Sequence, residues 1–178
     1  MKTGIKNFIT SFLVFITPIL SILFLEIFFY IPRINEFYNH FRLAPFYTGI
    51  YFWLSLRRDA FTLLSAFILG IFADVLSSST LGINLLSFLV LYLISDKIFS
   101  YFNIKKFSYS WLLFSLALLI TLLFKAIIVS TFHLKLIPLN HLLLEYVLTT
   151  MLYPLIGRFY LFVENRYIHL EERYENQQ

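Results

Sequence analysis

Apolar runs of about 20 residues recur along this chain and are separated by short polar connections. A helix needs about 20 apolar residues to cross a bilayer core of roughly 30 Å. The runs are apolar on all sides and do not alternate, which favours helices over the strands of a barrel. The pattern predicts an all-α, polytopic membrane helix bundle in one integral-membrane domain, residues 1–178. Its six transmembrane helices are predicted at about residues 8–31, 37–56, 60–76, 81–101, 109–132 and 137–162.

The composition excludes a soluble domain, because 60% of the residues are hydrophobic and only 13% are charged. The net charge of +4 would favour nucleic acid in a soluble protein. In a membrane protein, lysines and arginines flank the spans, so we expect a lipid bilayer and no nucleic acid. The absence of cysteine excludes a disulfide framework and a cysteine metal site.

The second span is the least certain, because only 14 residues separate Arg42 from Arg57. A re-entrant segment is the alternative to a crossing that begins near Phe37. With six crossings and the N-terminus inside, ten of the 14 basic residues face the inside and three the outside, while Lys125 lies within a span. Without this crossing the basic connection of residues 97–106 would move outside, against the positive-inside rule. Six spans with both termini in the cytoplasm are therefore predicted.

The tail after the sixth span, residues 163–178, carries the pattern of one more helical stripe. Apolar and aromatic residues recur there at spacings of three and four. The residues of this stripe are Tyr160, Val163, Tyr167, Leu170 and Tyr174. Such a helix either lies at the lipid headgroups or docks a cytoplasmic partner.

Four ionisable residues fall within the predicted spans, namely Glu26, Asp74, Lys125 and Glu145. Each costs about 2.5–3.5 kcal/mol at a bilayer centre, so each is expected to face protein or water. All four fall in the outer half of the membrane, with Lys125 and Glu145 at nearly the same depth on consecutive antiparallel helices. This predicts a Lys125–Glu145 ion pair, with Glu26 as the competing partner. The pair either fixes helix packing or serves a proton relay or a ligand.

Ala66, Gly70 and Asp74 are spaced by four residues and therefore share one face of the third helix. Small residues on a face allow a second helix to approach closely. Asp74 ends this face directly before an uncharged turn of residues 77–80. We therefore expect a tightly packed helical hairpin at this point.

The Asp74 carboxylate is expected to accept hydrogen bonds from backbone N–H groups or hydroxyls of the turn. Ser79 or Thr80 is expected to cap the fourth helix, whose first turn holds Gly82 and Asn84. A stabilised turn is the simplest role for this arrangement. A ligand or proton site and a contact point for a partner are the alternatives.

Catalytic signatures are absent from the sequence. It contains no H-E-x-x-H, G-x-S-x-G, P-loop or G-x-G-x-x-G motif. The serines of the turn, residues 77–79, have no candidate base nearby in sequence. We therefore predict that the protein is not an enzyme and binds no cofactor or metal.

Residues 68–84, ILGIFADVLSSSTLGIN, resemble the rod-shape-determining protein MreD family. The matching pattern is an apolar helix with Gly70 and Asp74, a short serine-rich turn, and then Leu81-Gly82-Ile83-Asn84. The basic turn at Arg57-Arg58 and the Tyr153-Pro154 pair extend the resemblance over most of the chain. One departure is Asp59-Ala60, where a proline commonly follows the basic turn in this family.

The resemblance implies a multi-pass protein of the bacterial inner membrane without catalysis, acting with an MreC-type partner in cell elongation. A RodA-type glycosyltransferase and a penicillin-binding transpeptidase are implied as indirect partners. The family's bundle is also similar to the substrate-binding (S) components of energy-coupling-factor vitamin transporters, which gives the alternative function. That alternative predicts an outer-half cavity lined by the four ionisable residues. The candidates for structural or partner contacts are Gly70, Asp74, Gly82, Asn84, Glu26, Lys125 and Glu145.

Overall fold

The computed structural model describes residues 16–28, 45–58, 60–76, 82–102, 106–133 and 138–175, with the backbone alone for residues 132–133 and 165–175. Within these ranges the chain forms helices and no strands, as the apolar pattern predicts. The helices are α1 (Ile16–Phe28), α2 (Pro45–Leu56), α3 (Leu63–Leu76), α4 (Ile83–Tyr101), α5 (Phe107–His133) and α6 (Leu139–Glu175).

Three of these helices are long and apolar enough to cross a membrane: α4, α5 and α6. The described part of α1 and the whole of α3 are apolar but shorter. The 14 residues of α3 extend for about 21 Å, less than a bilayer core. The three long helices fit a membrane protein, while the crossing of the membrane by all six helices stays a prediction.

The shortest helix, α2, lies at the centre of the bundle. Every residue from Pro45 to Leu54 is buried, and α2 packs against α4, α5 and α6. A helix that is apolar on all sides is stable where other helices surround it. The segment that is least certain as a span is therefore the core of the fold. Residues 37–44, which the predicted span also includes, lie outside the described residues.

Aromatic rings fill the part of this core that lies near the start of α5. The ring of Tyr153 on α6 stacks on Phe114 of α5 at 4.6 Å between centroids, and both rings contact Tyr51 of α2. The hydroxyls of Tyr153 and Ser110 are 2.8 Å apart, and Tyr51 donates to the Ser110 carbonyl. The hydroxyls of Tyr51 and Tyr153 thus form hydrogen bonds within the protein, at a depth where lipid offers no partner.

Helix α6 differs from the predicted sixth span in its length. It continues through Pro154 and beyond the expected end near residue 162, as far as Glu175. The spacing of apolar residues in the tail predicted a helix, and the backbone confirms it. Helix α3 begins at Leu63, later than the predicted start near residue 60, after a turn in which the Phe61 N–H bonds the Arg57 carbonyl at 3.2 Å.

Candidate functional site

The buried carboxylate of Asp74 binds the first turn of the next helix. Asp74 is 2% exposed near the end of α3. Its Oδ2 accepts the Gly82 N–H at 2.7 Å, and its Oδ1 accepts the Asn84 N–H at 2.9 Å. A longer contact of 3.4 Å joins Oδ2 to the Leu85 N–H. The predicted hydrogen bonds from backbone N–H groups to Asp74 are therefore present.

The start of α4 corrects the prediction that Ser79 or Thr80 caps this helix. The N-cap is Gly82, and Ser79 and Thr80 lie outside the described residues. Gly82 has a φ of 104°, a left-handed conformation that glycine adopts without strain, and it has no side chain to act as a cap. The free amides of the first turn are instead bound by Asp74 from the preceding helix. A carboxylate at this position is also favoured by the helix dipole.

The small-residue face of α3 allows this arrangement. Ala66, Gly70 and Ala73 are buried, and α3 packs closely along α4. A Cβ atom at Gly70 would lie 2.5 Å from the Cα of Leu85. Only glycine therefore fits at this crossing, and the close approach brings Asp74 within reach of the α4 amides. The predicted tight hairpin is confirmed for the helical part of the segment.

Lys125 and Glu145 form the predicted ion pair between α5 and α6. The Lys125 Nζ is 3.3 Å from the Glu145 Oε1, and the two side chains are 16% and 9% exposed. The Lys125 ammonium also lies 5.7 Å from the ring centroid of Tyr47 on α2. A cation over an aromatic face is attracted by the ring quadrupole. The pair thus joins the three helices α2, α5 and α6.

Glu26, the competing partner in the prediction, is buried on α1 at a different junction. It interacts electrostatically with Tyr160 of α6. A Cβ atom at Gly49 of α2 would lie 2.5 Å from the Tyr160 hydroxyl and 2.6 Å from Ile22, one turn before Glu26. Helices α1, α2 and α6 therefore meet at Gly49. The four ionisable residues are distributed over three junctions: α3–α4, α5–α6 and α1–α2–α6.

A family model described as rod shape-determining protein MreD matches residues 6–163 of the 178. The chain belongs to the MreD family. No match is found among curated proteins or among solved structures. Membership of this family implies a role in rod cell shape. The family and the three helices that are able to span a bilayer indicate a membrane protein.

The MreD resemblance was carried by residues 68–84, which include the part of the structure where Asp74 holds the start of α4. Of the seven candidate residues, four belong to this hairpin: Gly70, Asp74, Gly82 and Asn84. Their geometry shows a structural function, since each is used in the α3–α4 contact or in capping.

One cluster in this MreD-family chain was missed by the sequence reasoning. Arg58 donates to the side chain and carbonyl of Asp96 and to the Ser100 hydroxyl on α4. The neighbouring Arg57 lies 3.9 Å from Glu164 on α6. The sequence predicts this dibasic turn as an inner-face charge signal and as part of the MreD resemblance, but it does not predict the partners of the two arginines, because these are far away in sequence. The two arginines join α4 and α6 at the end of α2.

Proposed function

We propose that this MreD-family protein is a non-catalytic scaffold of the bacterial cell-elongation and peptidoglycan-synthesis machinery. In this proposal it resides in the inner membrane as a multi-pass protein and maintains rod shape together with an MreC-type partner. Contacts with a RodA-type glycosyltransferase and a penicillin-binding transpeptidase are indirect. The observation that carries the proposal is the family match over residues 6–163.

The geometry of the buried charges supports a scaffold. Asp74 binds backbone amides of α4, and Lys125 is paired with Glu145. Charged groups that satisfy one another within the bundle fix helix packing and register. A rigid bundle of this kind presents its outer faces to partner helices in a constant arrangement.

The same contacts disfavour the vitamin-transporter alternative. That function requires Glu26, Asp74, Lys125 and Glu145 to line one outer-half cavity. Three of them are instead engaged in two separate internal contacts, at α3–α4 and at α5–α6. Neither the family match nor the positions of these groups favours a transported ligand.

The proposal is tested by purifying the tagged full-length protein from native membranes and analysing both bound proteins and bound small molecules. We expect an MreC-type protein in the bound fraction. We also expect depletion of the scaffold to convert rods into round cells. Rod-shaped growth after depletion, together with a co-purified vitamin-sized molecule, would overturn the proposal in favour of a transporter component.

A further inference from the structure

The connection between α4 and α5 presents exposed aromatic rings beside lysines. Tyr101 is 81% exposed and Tyr109 is 62% exposed. We call this surface the aromatic–basic turn. Its described members are Lys97, Tyr101, Phe102, Lys106, Phe107 and Tyr109, and all of them are exposed.

The charge of the aromatic–basic turn has one sign. Residues 97–111 include three lysines and no acidic residue. The nearest acid, Asp96, is bound to Arg58. Within the described ranges neither Lys97 nor Lys106 has a carboxylate partner. Two ammonium groups are therefore left to bind anions from outside the bundle.

Core contacts hold the aromatic–basic turn in place. On the α4 side, the Phe99 ring packs 5.0 Å from Tyr51 of α2. On the α5 side, the Phe107 ring packs 5.6 Å from Tyr153 of α6. The described ends of this connection are thus fixed against the aromatic core, and the lysines at its two ends keep a constant position relative to the bundle.

We propose that the aromatic–basic turn binds the headgroups of anionic phospholipids in the inner leaflet. Exposed tyrosines lie at the headgroup level of a bilayer, where their polar and apolar parts are both accommodated. Lysines at the same level attract anionic headgroups. The proposal rests on the predicted topology, which places this turn on the cytoplasmic side, and is independent of the MreC-type partner.

The two tryptophans of the chain provide the assay. Trp111 is 40% exposed on α5, five residues after Lys106, and its indole N–H donates to the Thr150 carbonyl. Trp53 is 2% exposed and serves as the shielded reference. The full-length protein is reconstituted in phosphatidylcholine vesicles with increasing brominated phosphatidylglycerol. Quenching of Trp111 fluorescence reports the lipid bound beside the turn. The Trp111→Phe variant, in which Trp53 is the remaining tryptophan, gives the background quenching.

We expect brominated phosphatidylglycerol to quench Trp111 at lower mole fractions than brominated phosphatidylcholine does. Replacing both Lys97 and Lys106 with Gln should remove this preference, with a loss of roughly five-fold per lysine. The matched control is Arg158→Gln, which removes an exposed basic residue of α6 near the inner end of the predicted sixth span and should keep the preference. Equal quenching by both lipids in the native protein would overturn the proposal and leave an acidic protein surface as the occupant.

The substitutions and a measurement in high salt show whether the preference for phosphatidylglycerol comes from this turn. A preference that survives the double substitution, or that Arg158→Gln also abolishes, would show a general surface charge instead of this turn and would overturn the proposal. If the double variant does not fold, the native protein is measured in high salt. The preference must then fall, because salt screens exposed charges, and a salt-independent preference contradicts the proposal.

Discussion

At the scale of single residues, Asp74 belongs to one helix and caps another. A carboxylate at an N-cap normally comes from the residue that begins the helix. Here Gly82 occupies that position in a left-handed conformation, and Asp74 supplies the acceptor across the hairpin. The end of α3 and the start of α4 therefore depend on one side chain.

We predict that Asp74→Ala lowers the free energy of unfolding by about 2–3 kcal/mol, because amides at the start of α4 lose their acceptor in a buried site. Asp74→Asn should cost less, since the amide oxygen remains as one acceptor. The measurement is thermal or denaturant unfolding of the purified protein in detergent, followed by circular dichroism.

The control for Asp74 is Asp96→Ala, which removes a carboxylate at the other end of α4. Asp96 pairs with Arg58, and both side chains are about 40% exposed. Partly exposed ion pairs contribute about 0–1 kcal/mol. Equal losses of stability in the two variants would contradict a capping role for Asp74.

The two glycines of the hairpin show how far such residues can be interpreted from sequence. Gly70 was predictable as a packing position, because it shares a helical face with Ala66 and Asp74. The role of Gly82 was not, because the spacing of apolar and small residues does not predict the left-handed φ that it adopts.

At the scale of elements, Lys125 and Glu145 define how α5 and α6 pack. Their pairing was predictable from equal depth on consecutive helices, since only a few partners are available to a buried charge. The contact of Lys125 with Tyr47 was not predictable. It depends on α2 packing against both α5 and α6, although α2 is far from both in sequence.

We predict that Lys125→Met or Glu145→Leu alone destabilises the protein by about 3–5 kcal/mol, because each leaves a buried charge without its partner. The double variant should recover most of this loss, since two apolar side chains pack in place of the pair. Unfolding of all four proteins gives the coupling energy in a double-mutant cycle.

Complementation of cell shape by the double variant distinguishes a packing role of the Lys125–Glu145 pair from a further function of its charges. A packing role predicts that the folded double variant restores rods in depleted cells. If this variant is as stable as the native protein but leaves the cells round, the pair has a function beyond packing. Expression of each variant in the membrane is measured first, so that loss of protein is not mistaken for loss of function.

At the scale of the whole molecule, the class of fold was readable from the sequence and its interior arrangement was not. Long apolar runs predicted α4, α5 and α6, because length and hydropathy are local properties. The position of α2 at the centre could not be derived from the 14 residues between Arg42 and Arg57. A helix that other helices surround does not need the roughly 20 apolar residues with which a lipid-facing helix crosses the bilayer core.

The predicted topology is open to a direct test, because the chain contains no cysteine. Single cysteines at Glu36 or Lys135 are expected to react with an impermeant maleimide from outside. Cysteines at Lys105 or Gln177 are expected to react only after the membrane is opened. Each position falls in a connection or terminus of the six-span prediction.

Labelling of the Lys105 position from outside would show that the second segment does not cross the membrane. The basic turn at Arg57-Arg58 would then lie outside as well, against the positive-inside rule. Growth and the amount of each variant in the membrane provide the control for correct insertion.

The central position of α2 also has a consequence for biogenesis. Three of the helices that cover α2, namely α4, α5 and α6, are translated after it, and only α1 precedes it among the described helices. During synthesis α2 therefore lacks three of its final neighbours, and its last contacts form only when the C-terminal helix leaves the ribosome. Completion of the core is thus coupled to completion of translation, so chains that stop before α6 expose an unfinished interior to membrane quality control.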